Sequence, residues 1–204
     1  MKNKVFALFI SLLFISSLNV IAGDVDGPEI TDNEGDAFGY LDIDSVWFYE
    51  DENNPDILFV SMKINDPVYW HFQQTFAVFW TFNDIKYFCV LHLGFDIGEN
   101  WEKYSVGRHP TNKYYDEFHR NLTGSYSISD GVITWEIPKN FIRNPEKDDI
   151  LTNTWSNAFR RLGIIGRAGF TRYILDYFIF RFFGNSMWDY APDFGYGEDY
   201  IIKY

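Results

Sequence analysis

Thr75-Phe76-Ala77-Val78-Phe79-Trp80-Thr81-Phe82-Asn83-Asp84-Ile85-Lys86-Tyr87-Phe88-Cys89-Val90-Leu91-His92-Leu93 reads as two strands folded about a two-residue turn. Strand side chains alternate between faces, and Asn and Asp tolerate the positive φ that so tight a turn demands. Folding at Asn83-Asp84 puts Phe76, Val78, Trp80 and Phe82 on one face with Ile85, Tyr87, Cys89 and Leu91. That apolar face predicts a core, with Cys89 in it as a small buried hydrophobe. Thr75, Ala77, Phe79, Thr81, Lys86, Phe88, Val90 and His92 take the other face. Phe79 and Phe88 pair across the strands there, and either another element covers them or they form a binding surface.

The same alternation recurs on both sides. Ser125 to Ser129 and Val132 to Ile137 flank Asp130-Gly131, a strong hairpin signal, and a two-residue turn sets Ile128 against Ile133 and Tyr126 against Trp135. Val46 to Glu50 and Ile57 to Ile64 read as strands, the second with Leu58, Val60, Met62 and Ile64 on one face. Leu151 to Phe159 is a further strand, although Trp155 and Phe159 also suit a helical turn, and Tyr200 to Tyr204 reads as the last. Short strands with turn signals between them predict an all-β fold, an antiparallel β-sandwich with jelly-roll or immunoglobulin-like layers. Phe170 to Phe183 interrupts the pattern: Phe170, Tyr173, Ile174, Tyr177 and Phe178 follow helical spacing. It is expected as an aromatic-rich helical or loop insertion, docked on a sheet or presented to lipid or a partner.

At the N-terminus Lys2 and Lys4 precede an apolar run, and Val20 and Ala22 stand where a signal peptidase reads small residues. This predicts a signal peptide over residues 1–22 and one β-sandwich domain over residues 23–204, secreted or held at the cell surface. Val5 to Ala22 comes to 18 residues, so an uncleaved anchor is the alternative, and no second run of that length follows. Without residues 1–22, which hold two lysines and no acid, 15 of the 17 basic residues face 29 acids, a formal charge of −14. Such a surface repels phosphate, so nucleic acid is not an expected partner. Cys89 is the only cysteine, which excludes an internal disulfide. Asn121-Leu122-Thr123 is a glycosylation sequon, placing Asn121 on a surface loop.

Asp32-Asn33-Glu34-Gly35-Asp36 sets three carboxylates around a glycine. Oxygen donors at alternate positions of a tight turn suit Ca²⁺, a hard cation that takes six to eight of them. Asp42, Asp44, Asp193, Glu198 and Asp199 are candidates to complete the shell if the two ends of the domain meet. The expected metal ligands are Asp32, Glu34, Asp36, Asp193 and Asp199; the alternative is a solvated acidic turn.

Thr31 to Asp36 with its following strand, Val132 to Pro138, and Leu151-Thr152-Asn153-Thr154 resemble the extracellular β-sandwich domains related to DOMON and to family nine carbohydrate-binding modules. Ala191-Pro192-Asp193 and Gly195 to Tyr200 are similar to the terminal strand signature of archaeal exported proteins of this type. The resemblance covers about Ile30 to Tyr204 and implies a ligand-binding or adhesive sandwich, in some members with structural calcium, haem or sugar. Asn33 stands where such domains usually carry proline, and Lys147-Asp148 where they often carry Gly-Asp.

No catalytic constellation is visible: there is no G-x-S-x-G elbow, no H-E-x-x-H and no phosphate-cradling glycine loop. His71, His92, His109 and His119 show no metal-ligand spacing. A haem-binding redox domain is the alternative function, with Met62 and a histidine as axial ligands, although Met62 falls on a core face. The reading carried forward is a non-catalytic ligand-binding or structural module, calcium-stabilised, with a polysaccharide or cell-surface protein as partner. Trp70, Trp101, Trp155 and Trp188 are the rings expected to stack on a sugar; each is otherwise a half-buried rim residue.

Overall fold

Cross-strand pairing follows the alternation of the chain. The computed structural model describes residues 25–37, 40–67, 73–96, 99–109, 120–161 and 188–204. Along the chain come β1 (Ile30–Thr31), β2 (Ile43–Asp51), β3 (Asn54–Ile64), β4 (Gln73–Phe82), β5 (Ile85–Asp96) and β6 (Glu99–His109). There follow β7 (Arg120–Asn121), β8 (Thr123–Ser127), β9 (Val132–Pro138), a 3-10 turn at Lys139–Ile142, β10 (Ile150–Arg161), β11 (Trp188–Ala191) and β12 (Tyr200–Ile201). One sheet has the order β1-β2-β3-β9-β8; the other runs β11-β10-β4-β5-β6-β7, with β12 also on β10. All described pairings are antiparallel, and the two sheets pack as a β-sandwich. The expected signal peptide, residues 1–22, and the Phe170 to Phe183 segment lie outside the described residues. No helix among the described residues is long and apolar enough to cross a membrane.

The β4–β5 hairpin forms in the register that alternation requires, Phe76 opposite Leu91, Val78 opposite Cys89 and Trp80 opposite Tyr87. Asn83 and Asp84 turn it with φ of 48° and 60°. Its inner face meets Val46, Phe48, Leu58, Val60, Met62, Ile133, Trp135 and Ile137 of the other sheet in one core. Phe48 packs edge-on to Trp80 at 5.8 Å and stacks on Tyr200 at 5.6 Å. Each such side chain removed from water contributes about 1.5–3 kcal/mol, which is how the sandwich holds without a disulfide.

The Asp130-Gly131 hairpin differs from expectation. Tyr126 pairs with Ile133 and Ser127 with Val132, so the loop spans four residues, 128–131, and Ile128 is exposed. Two local contacts outweigh the two-residue turn. The Ser127 hydroxyl donates to Asp130 Oδ2 at 2.6 Å, and the Ile64 N–H donates to the Gly131 carbonyl at 2.9 Å, docking the loop on the end of β3. A slip of two residues preserves the faces, so Tyr126 still shares the core side with Ile133 and Trp135.

Candidate metal centre

The acidic turn at residues 32–36 joins β1 to the approach of β2, at the edge of one sheet, and β11 is the edge strand of the other. Gly35 adopts φ of 90°, a conformation that suits glycine, and this folds the turn back on itself. Asp42 Oδ2 clamps the fold by accepting the Gly35 N–H and the Asn65 side-chain amide, each at 2.9 Å. On β11 the alternation places Trp188 and Tyr190 outward and Asp189 inward, where it is 3% exposed. Asp189 Oδ2 accepts the Ile43 N–H at 2.6 Å, linking the second sheet's edge to the first strand residue of β2.

These elements bring Asp32, Asp36 and Asp189 together, with one oxygen of each within 4.8 Å of the others. Two ligands at the ordinary calcium–oxygen distance of about 2.4 Å lie no farther apart than about 4.8 Å, so this spacing suits one ion. Asp193 joins from beyond β11: Asn33 donates to its Oδ2 at 2.9 Å, and it lies within hydrogen-bonding reach of Asp36. Burial and then the Asp189 charge push Asp32 up to about 7. Burial pushes Asp189 up to about 6 despite the Ile43 N–H, with Asp36 and Asp42 adding to the rise. Asp36 is raised by burial and then by Asp193. The carboxylates repel one another, and a cation would relieve that repulsion.

Two oxygens are buried without a hydrogen-bond partner, Asp32 Oδ2 and Asp42 Oδ1, and Asp42 as a whole is 2% exposed. An orphaned buried carboxylate oxygen costs on the order of 1–3 kcal/mol or more. All the donors are hard oxygens on a turn and a strand end, with no imidazole or thiolate. That chemistry fits Ca²⁺, and fits Zn²⁺ poorly.

Of the ligands expected from sequence, Asp32 and Asp36 belong to this cluster, and Asp193 stands beside it, next to Asp36, without being one of the three. Glu34 is exposed on the same turn, and Asp199 is exposed beside Tyr200, where β12 pairs with β10; neither is among the three that converge within 4.8 Å. Asp189 was not expected from sequence. Its signal is the alternation of Trp188-Asp189-Tyr190-Ala191, which turns a lone acid toward the interior.

The candidate tryptophans among the described residues are engaged in their own sheet. Trp155 stacks on Phe79 at 3.9 Å and 5°, with Tyr190 at 6.4 Å on a second contact. Trp188 stacks on Phe159 at 5.2 Å, and the Trp101 ring lies so close over Gly94 that a Cβ there would overlap it. Trp70 lies outside the described residues. Asn121 is exposed, but on strand β7 and not on the loop expected for the sequon. Met62 is fully buried in the core, and the His92 ring is hydrogen-bonded to Thr75 at 2.9 Å.

No protein-family model, curated protein or solved structure matches this chain.

Proposed function

We propose that the protein is an exported, non-catalytic binding module whose sandwich is closed along one edge by calcium. Asp32, Asp36 and Asp189 would hold the ion, with Asp193 and Asp42 Oδ1 beside them. The observation that carries this reading is the convergence of carboxylates from both sheet edges within 4.8 Å, with buried oxygens left unpartnered. The ion would neutralise their repulsion and tie β11 to the β1–β2 connection. Trp188 and Tyr190, 36% and 48% exposed, stand on the outer face of β11 on either side of Asp189. They support a polysaccharide or a cell-surface protein as the ligand, met by a strand that the metal orders.

Thermal unfolding of the purified chain in a chelator and in millimolar calcium tests the reading. Calcium at 100 times its Kd adds about 2.7 kcal/mol to the folded state. For a domain of this size that is a rise of roughly 5–10 °C in Tm. The rise disappears in Asp36→Asn, a substitution at an exposed position that leaves the core intact. An unchanged Tm in millimolar calcium removes the metal from the proposal.

A further inference from the structure

The outer faces of a β-sandwich ordinarily go to water, and the outer face of the second sheet departs from this over part of its area. Alternation turns Thr75 and Ala77 of β4, Phe88 and Val90 of β5 and Ser105 of β6 away from the core. All five are nevertheless buried, between 2% and 8% exposed. Ala77, Phe88 and Val90 form an apolar cluster of their own with Phe79, separate from the core between the sheets. Asn157 of β10 lies opposite Ala77 on this face, and its Oδ1 is buried without a hydrogen-bond partner. Phe88, His92 and Phe159, on the same face, each engage a further group besides the neighbours named above. Every described strand belongs to one of the two sheets and the first sheet packs on the inner face, so no described strand crosses the outer one.

The burial is graded, and the gradient points to where the cover comes from. Beside the Asn83-Asp84 turn, Thr81 is half-buried and Lys86 is exposed, and on β11 Trp188 and Tyr190 are exposed. Burial deepens toward the other end of β4, at Ala77 and Thr75, and there β10 ends at Arg161 opposite Gln73. The chain leaves the sheet at that end and re-enters it at Trp188, which pairs with Phe159. Adjacent antiparallel strands can be joined by as few as about two residues, whereas residues 162–187 stand between these two. Within them Phe170 to Phe183 is apolar or aromatic nearly throughout, with Arg172, Asp176 and Arg181 its only charges. The other long connection on this sheet, residues 110–119, leaves β6 at His109 opposite Lys86, the end where burial is least.

We infer that the chain's own segment Phe170 to Phe183 docks on this outer face, over Ala77, Phe88 and Val90. The distance allows it: from β10 across to β6 is three strand spacings, about 14 Å, and even in helical form residues 170–183 reach about 20 Å. The match is apolar on apolar, and Asn157 Oδ1 is placed to accept a hydrogen bond from the segment. Docked there, the segment is not presented to lipid or to another protein, and Trp188 and Tyr190 remain the open rings on this side of the sheet. The inference concerns a different part of the fold from the acidic cluster and does not depend on the calcium reading.

Maleimide labelling of Val90→Cys in the full chain tests this, with Cys89, fully buried on the inner face, as the internal control for folding. The folded variant should label at position 90 slower than the urea-unfolded chain by about tenfold or more, independently of protein concentration. Replacing residues 170–183 with a Gly-Ser linker of equal length should restore labelling at position 90 while Cys89 stays protected. If Cys89 also labels, the linker variant has not folded, and a second measurement that keeps the segment decides. In it p-benzoylphenylalanine takes the place of Phe79, and irradiation should cross-link it to a peptide from residues 162–187 of the same chain. Free labelling of folded Val90→Cys overturns the inference, and so does protection that survives the linker in a folded chain. Protection that appears only at high concentration, or a cross-link to residues 110–119, to residues 1–22 or to a second copy, gives the face another occupant and overturns it as well.

Discussion

Glu29 takes a carboxyl into the interior beside β1. The residue is 2% exposed; its Oε2 accepts the Phe48 N–H at 2.8 Å, and its Oε1 is buried without a partner. Burial raises it from 4.5 to about 7, against the pull of the Phe48 N–H and the Lys203 charge. Because the folded value lies above the unfolded one, the folded chain holds this proton more tightly. The resulting stability is fully present below about pH 4.5 and is lost as pH rises through about 7. A shift of that size corresponds to about 3 kcal/mol, as an order of magnitude. Glu29→Gln keeps an acceptor for Phe48 and removes the charge. Its urea midpoint should exceed that of the parent chain at pH 8 and match it near pH 5; an equal gain at both values would show that ionisation is not the cause. Residues of this kind are the least legible from sequence. Asp32, Asp36 and Asp193 announce themselves by crowding a glycine turn and a chain end. Glu29 and Asp189 are single acids whose inward direction depends on which neighbour pairs with which strand.

Elements show where periodicity suffices and where it stops. In β4 and β5 the two-residue turn and the alternation agree, and the whole face from Phe76 to Leu91 follows. In β8 and β9 the alternation places the faces correctly, but register depends on β3, a strand some seventy residues away along the chain, which sequence periodicity does not see. Gly131 is the point of contact. Its φ is 69°, and a Cβ there would overlap the Ile64 carbonyl oxygen, whereas Gly35, with φ of 90°, has open space around it. Gly35→Ala therefore meets backbone strain of about 1–2 kcal/mol. Gly131→Ala adds a backbone clash and should cost about 3 kcal/mol or more. Urea unfolding of both variants without calcium measures the difference, and equal losses would show that the hairpin does not press on β3. The outer-face aromatics are a similar case. Alternation put Phe79 opposite Phe88, and they meet at 6.0 Å, but the tighter partner of Phe79 is Trp155 on β10, a neighbour that only the sheet order supplies.

At the scale of the whole molecule the sandwich is closed differently at different places. Near the C-terminus the closure is internal: buried Lys139 pairs with Glu50, whose Oε2 also accepts the Tyr200 hydroxyl at 3.1 Å and the Lys203 N–H at 2.6 Å. Breaking such a buried pair by removing one partner costs roughly 3–5 kcal/mol, so this region needs no external ion. Along the β1–β11 edge the groups that meet are carboxylates of one sign, and no salt bridge among the described residues neutralises them in the same way. If calcium completes that edge, every opening that releases the ion, local or global, should become rarer by the same factor. Chain segments open locally with free energies from near zero up to the global value, and edge strands and turns occupy the low end. Hydrogen exchange followed amide by amide should then show calcium slowing Gly35, bonded to Asp42, and Ile43, bonded to Asp189, by tenfold or more. Amides of β3 and β9 in the middle of the first sheet, which open only on global unfolding, should slow by the factor that the Tm shift predicts. An edge as slow to exchange as the centre in the chelator would mean that it does not open separately. Slowing at the centre without any at Gly35 and Ile43 would place the ion elsewhere on this acidic surface.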